Sequence, residues 1–288
     1  MKKFLIIFAI AIINLFISNP CFAIKIGLLT NVEKAGIGTD VAGRMISTHT
    51  NRTVATTDSM KGYILVPYNG QIAVRTKDGI KSLSTDSLVL RPDTTGFVST
   101  KGKWYRGKFL IKNINNKLTL INDIDLENYI KGVVPSEMPA SWEYEALKAQ
   151  AIAARSFALA NLGKQAKYGY DLKDNTEDQA YGGASCETNK TNRAVDETQG
   201  LVLTYDMKII SAYYSASAGG YTNTNAWGSN LPYLHSVFSF DENIAKNGHG
   251  VGMSQHGANN LAKQGYNAYQ ILQYFYQNVK FARLNSTV

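Results

Sequence analysis

Between residues 24 and 122 the apolar positions fall in short β-like runs, Tyr63-Ile64-Leu65-Val66, Ile72-Ala73-Val74 and Leu88-Val89-Leu90, separated by Gly, Asn, Asp and Pro. Short apolar runs bounded by turn formers predict strands. Residues 108–112 and 118–121 flank Asn115-Asn116, the pattern of a hairpin. After Trp142 the pattern changes. Tyr144, Leu147, Ala151, Ala154 and Ala158 recur at spacings of three and four, which predicts one long helix over 142–162 with an apolar stripe of small residues. Ser141 is placed to cap it, Glu143 and Glu145 suit its positive end, and Gly163 its stop. A second hairpin is expected from 201–205 and 209–214 around Asp206-Met207-Lys208. Two C-terminal helices follow, 254–264 stopped by Gly265 and 268–277 capped by Asn267. The fold class expected is α+β: a β-rich region over 24–100, then a mixed core over 101–288 in which a long helix packs on strands.

The first 23 residues change the picture of where the chain works. Lys2 and Lys3 precede an apolar run over 4–17, and Cys21-Phe22-Ala23 resembles a small-residue cleavage site, so residues 1–23 read as an export signal. The run is short of the roughly 20 residues of a spanning helix, although an uncleaved signal would double as a membrane tether. Of the two cysteines only Cys186 lies beyond the signal, so no internal disulfide is expected and stability must come from packing. The formal charge of +8 suits an anionic polymer such as a cell wall. Nucleic acid is not expected as a partner, because Lys and Arg are scattered and export removes the usual targets.

Among candidate chemical groups, Glu137 stands between Pro135 and Pro139 with Val133, Val134, Met138 and Trp142 nearby. Prolines fix the backbone, and apolar neighbours would desolvate the carboxyl and raise its pKa, as a general acid requires. An ordinary glutamate ahead of a helix fits the same residues. Glu127 and Asp178 are the other carboxylates to consider, neither with a strong local pattern. Lys148 and Arg155, seven apart, share a helix face with about 10 Å between their Cα atoms. His249 lies in a glycine-rich loop that allows either close backbone approach to a ligand or a simple turn. Cys186 lacks a nucleophile signature and reads as a buried free thiol, and Ser215 and Ser217 lack the Gly-x-Ser-x-Gly elbow. Gly219-Gly220 reads as a flexible turn.

The segment from Leu126 to Pro139, LENYIKGVVPSEMP, followed by Glu145-Ala146-Leu147-Lys148-Ala149-Gln150-Ala151-Ile152-Ala153-Ala154-Arg155, closely resembles the core motif of the SpoIID/LytB family. Three later segments resemble it in the same order: Asp178-Gln179-Ala180-Tyr181-Gly182-Gly183, the run from Ala212 to Thr222, and Gly248-His249-Gly250-Val251-Gly252-Met253-Ser254-Gln255. The resemblance runs from about Lys103 to Gln277. It implies a peptidoglycan lytic transglycosylase that cuts between N-acetylmuramic acid and N-acetylglucosamine, in strands stripped of stem peptides, to leave 1,6-anhydro ends. Glu137 falls on the family's catalytic glutamate, and Lys148 and Arg155 on its helix positions. Tyr213, Tyr214, Ser215, His249 and Gln255 are the further candidates for substrate binding. The family's amidase-enhancer members keep a second reading open, a non-catalytic wall-binding module that stimulates a cell-wall amidase. Zinc is associated with some relatives through clustered Cys and His. Here Cys186 is isolated and His49, His235, His249 and His256 are dispersed, so neither metal nor other cofactor is expected.

Overall fold

The computed structural model describes residues 22–284, so the expected signal lies outside it apart from Phe22 and Ala23. Twelve strands come first: β1 (Ala23–Val32), β2 (Ala35–Thr39), β3 (Gly43–Ser47), β4 (Thr53–Thr57), β5 (Lys61–Tyr68), β6 (Gln71–Thr76), β7 (Gly79–Ser82), β8 (Ser87–Pro92), β9 (Val98–Thr100), β10 (Lys103–Tyr105), β11 (Lys108–Ile114) and β12 (Lys117–Asp125). They divide between two sheets, ordered β1-β12-β11-β8-β3-β4 and β10-β9-β2-β5-β6-β7. Alternation along the strands explains the layering. Leu88 and Leu90 of β8, Phe109 and Ile111 of β11, and Leu118 and Leu120 of β12 are all buried, in one core with Leu65 and Ile72 from the other sheet. The β11–β12 hairpin turns through Asn115 and Asn116, both at positive φ as its two-residue turn demands. The boundary expected at 100/101 falls in the turn of the β9–β10 hairpin, whose two strands belong to one sheet.

The chain passes from β12 straight into α1 (Leu126–Glu137), where Asp125 caps the helix by accepting from the Asn128 amide at 3.0 Å. This helix was not expected. Leu126, Tyr129, Ile130, Val133 and Val134 are its buried face at helical spacing, and Pro135 stands in the last turn, where its missing N–H takes one bond from the helix two residues before it ends. Helix α2 (Tyr144–Ala160) follows, shorter at both ends than the predicted 142–162, with Glu143 rather than Ser141 at its N-cap. Strand β13 (Leu172–Lys173) adds to the first sheet parallel to β1, and α3 (Asn189–Glu197) precedes β14 (Leu201–Tyr205). Asp206 and Met207 turn the second hairpin at positive φ, but its return strand is only Lys208–Ile209, shorter than the expected 209–214. The C-terminal helices α4 (Gln255–Lys263) and α5 (Ala268–Phe275) start at Ser254 and Asn267, the latter in a capping box with Gln270.

Helix α2 is the centre of the α part, packed against α1, α3, α4, α5 and β14. Twelve of its residues are buried, on every face. The seven-residue spacing does point Lys148 and Arg155 the same way, yet α3 covers that side. Lys148 pairs with Glu145 at 2.6 Å and reaches Glu197 of α3 at 4.0 Å. Arg155 has no exposed surface. Its Nε and Nη2 donate to the two oxygens of Glu127 at 2.8 Å each, Nη1 donates to the Leu201 carbonyl at 3.0 Å, and Nη2 reaches the Val195 carbonyl at 3.5 Å. One guanidinium thereby joins α2 to α1, α3 and β14. The expectation that Arg155 contacts substrate is corrected by this burial. Removing one partner of such a pair strands the other charge, which costs about 3–5 kcal/mol. Arg155→Met is therefore expected to lower unfolding free energy in urea by that order, and adding Glu127→Gln to recover part of the loss.

Candidate active site

Glu137 is the last residue of α1, and its position follows from what packs on that helix. A Cβ on Gly132 would stand 2.5 Å from the Tyr181 ring, so only glycine lets the 178–183 segment lie against α1. That approach brings the Ala180 amide to Glu137, donating to Oε1 at 2.6 Å. The other oxygen is met from α4. Tyr214-Ser215 and Met253-Ser254 form a short parallel ladder, pairing Tyr214 with Met253 and so bringing the start of α4 next to it. Gln255, the first residue of α4, donates from Nε2 to Glu137 Oε2 at 3.1 Å. The Tyr214 hydroxyl donates to Gln179 Oε1 at 2.6 Å, while Gln179 Nε2 donates to the Tyr129 hydroxyl at 3.2 Å. Burial pushes the Glu137 carboxyl above the ordinary glutamate range, and the hydrogen bonds from Ala180 and Gln255 pull it only partly back.

Beside Tyr214 opens a cavity of about 530 Å³, within the size range of small-ligand sites. Its aromatic wall is Phe157, Tyr213, Tyr214, Trp227 and His249, and its polar wall is Asn161, Lys164, Thr176, Glu177 and Asp178. Glu137 does not line this cavity itself; Tyr214 lies between the two. The other carboxylates are committed. Asp178 accepts from Lys164 Nζ at 2.5 Å and from the Lys173 amide at 2.7 Å, Glu177 pairs with Lys173, and Glu127 is held by Arg155.

The structure thus gathers Glu137, Tyr214 and Gln255 at one point, with Tyr213 and His249 on the adjoining cavity. Besides the buried Arg155, two other candidates go elsewhere. Lys148 neither lines the cavity nor bonds Glu137; its ammonium is taken by the acids of α2 and α3. Ser215 is buried, and its Oγ accepts the Gly250 amide at 3.1 Å, so it shapes the loop rather than meeting a ligand. The carboxamide of Gln255 is likewise spent on the carboxyl. His249 Nδ1 accepts the Val251 amide at 2.9 Å, which puts the proton of the neutral ring on Nε2. Burial first, then Lys246, holds its pKa below the usual histidine value, so it is neutral at physiological pH. Zinc of the kind associated with some relatives does not fit these residues. The Cys186 thiol, raised by burial, donates toward the Gly132 and Gly183 carbonyls, and among the described residues no three potential ligands gather.

Asp241 is the residue that sequence reasoning missed. Its buried carboxylate accepts from the amides of Ala218, Gly219 and Gly220 at 2.7, 3.1 and 3.0 Å, and from the hydroxyls of Ser239 and Ser254. Burial raises its pKa, but these bonds outweigh that and leave it below the ordinary aspartate range. The Gly219-Gly220 turn is therefore tied down, not flexible. Ser254 Oγ also caps α4 through the Gly257 amide at 3.0 Å, so Asp241 anchors the helix end that carries Gln255 to Glu137. The only advance signal was Ser254 itself, read as a helix start.

The family described as Stage II sporulation protein, SpoIID, matches residues 114–205, which span α1, α2 and the 178–183 segment. Over this region the chain is similar to the SpoIID/LytB family. An uncharacterized protein of Brachyspira hyodysenteriae is 33% identical over 196 residues, covering 67% of this chain and 49% of the relative. The amidase enhancer of Bacillus subtilis is 42% identical over 156 residues, 52% of this chain and 21% of the relative. Stage II sporulation protein D of the same organism is 42% identical over 136 residues, 41% of this chain and 40% of the relative. The chain spans about half the length, or less, of these three relatives. The matched region supplies Glu137 and Ala180, whereas Tyr214 and Gln255 lie beyond it.

A carboxyl whose pKa is raised in the folded state binds its proton more tightly there than in the unfolded chain. Its contribution is fully favourable below the unfolded glutamate value and is lost as pH rises through the folded one. Glu137→Gln removes this penalty. The variant is expected to melt at a higher temperature than the parent at pH 7, with the difference shrinking as pH falls through the folded value toward the unfolded glutamate value. A melting-temperature series by calorimetry from pH 4 to 8 checks this.

Proposed function

We propose that this protein is a peptidoglycan lytic transglycosylase acting through Glu137. The observation that carries the reading is a largely buried carboxyl with an elevated pKa beside an aromatic-walled cavity, while Glu127, Asp178 and Glu177 are each bound to a cation. Hydrolysis by the usual route needs a second carboxylate roughly 5 to 9.5 Å from the first, as nucleophile or to activate water. Intramolecular transfer needs one. Protonated Glu137 gives its proton to the glycosidic oxygen as the muramic C1–O bond breaks. The carboxylate then takes the proton of the muramic C6 hydroxyl as O6 closes on C1. Water is not consumed, and the acid is regenerated in the same turnover.

The hydrogen bonds from Ala180 and Gln255 suit this cycle because they support the carboxylate between the two transfers, while burial favours the acid at its start. Tyr213, Tyr214 and His249 offer flat rings to sugar faces. The net charge of +8 favours an anionic wall, and the N-terminal apolar run would deliver the protein there.

Glu137→Gln is expected to reduce release of 1,6-anhydro products from peptide-free glycan strands by at least about a hundredfold, the low end of general acid–base contributions. Mass spectrometry of the soluble products reads the result. Full release by the variant would remove Glu137 from the mechanism. Absence of product from the parent, together with faster cleavage by an added amidase, would favour the amidase-stimulating reading instead, in keeping with the name of one relative.

Removing the Gln255 donor should raise the Glu137 pKa further, since that bond lowers it. For Gln255→Ala the limb of the pH–rate profile that reports Glu137 is expected to move to higher pH. An unchanged profile would separate Gln255 from the proton transfer.

A further inference from the structure

One wall of the cavity is built at a conformational cost that the fold does not require. Asn225-Ala226 and Ser229-Asn230 form a small antiparallel hairpin joined by Trp227-Gly228. Trp227 has φ 53° and Gly228 φ 86°, so both turn residues are left-handed. Asn or Gly is the usual choice for the first of these positions, and a bulky residue there is an outlier. Burial does not compensate, because Trp227 is 67% exposed. Its ring leans on Tyr213 and His249, with centroids 4.9 and 5.1 Å away, and borders the cavity. An indole held at the tip of a turn, supported by two other rings and left largely open, has the form of a platform for a flat ligand.

Across the cavity the polar wall suits a polyol. Asn161 donates its amide hydrogens to the Phe157 carbonyl and Ser211 Oγ at 2.8 and 3.1 Å. Its Oδ1 accepts no hydrogen bond among the described residues and is left as an acceptor. Lys164 and Asp178 satisfy each other, so this wall carries paired rather than net charge.

We propose that Trp227 is a substrate-binding residue that stacks on a pyranose ring of the glycan strand, with Asn161 accepting a hydroxyl at its edge. Seating one sugar there would fix the strand's register relative to Glu137, which lies behind Tyr214. The assignment rests on the reading of this cavity as a glycan site.

The test uses the full chain with Glu137→Gln, so that glycan is bound and not cut, and with Trp104 and Trp142 changed to Phe so that Trp227 is the sole indole. Titration with peptide-free glycan strands is expected to shift or quench its emission. Trp227→Asn, in the Glu137→Gln chain that keeps Trp104 and Trp142, places a residue suited to a left-handed turn. It is expected to leave the melting temperature equal or higher while weakening retention on immobilised strands about tenfold, the scale of a lost ring contact. Trp227→Phe should retain part of the binding. Unchanged affinity in Trp227→Asn, or emission indifferent to glycan that does bind, would overturn the proposal. The two readings fail separately. Normal cleavage by Glu137→Gln would sink the mechanism and leave the platform standing, and an inert Trp227 with inactive Glu137→Gln would do the reverse.

Discussion

The α part of the molecule is organised by the need to satisfy one buried cation. Helix α2 is enclosed on every face, and Arg155 stands in the middle of it with no exposed surface. A guanidinium removed from water needs a counter-charge and acceptors for its remaining hydrogens, or the desolvation cost is uncompensated. Glu127 supplies the charge from α1, and the carbonyls of Val195 and Leu201 supply acceptors near the end of α3 and on β14. Four elements are thereby brought to one point. Glu127 also accepts the Gly200 amide, which fixes the turn between α3 and β14.

A balance of opposed effects at Glu137 follows from this assembly. With α1 and α2 fixed, the 178–183 segment and α4 close on the end of α1, and the carboxyl is withdrawn from solvent. Burial favours its neutral form, whereas two nitrogen donors favour its charged form. A group that must both give and take a proton is served by neither extreme. The support reaches well beyond the contacting atoms, because Gln255 depends on the start of α4, α4 on Ser254, and Ser254 on Asp241.

Much of the scaffold was legible because it rests on local rules. The β strands follow short apolar runs between turn formers, the β11–β12 turn follows Asn115-Asn116, and the C-terminal helices begin at the expected caps. Helix α1 escaped notice because Gly132 and Pro135 look like breakers, although Tyr129, Ile130, Val133 and Val134 already carried a helical period. Glycine was present there for the Tyr181 ring and not for a turn. Arg155 was misread for a different reason. The spacing of two cations on a helix is the same whether their shared side meets water or another helix, and only tertiary packing decides. Asp241 had no local signature at all, since its donors come from 218–220, 239 and 254.

The direct passage from β12 into α1 has a consequence for how this region tolerates change in length. Twelve residues separate the end of the sheet from the carboxyl, a rod of about 18 Å whose far end turns by about 100° for each residue added or removed. Hairpin loops at the rim of the sheets absorb an inserted residue in the loop itself. Between Asp125 and Glu137 there is no slack, so a single insertion would swing the acid out of phase with Ala180 and Gln255 while leaving the helix intact. Length, as much as residue identity, is what this stretch of chain has to keep.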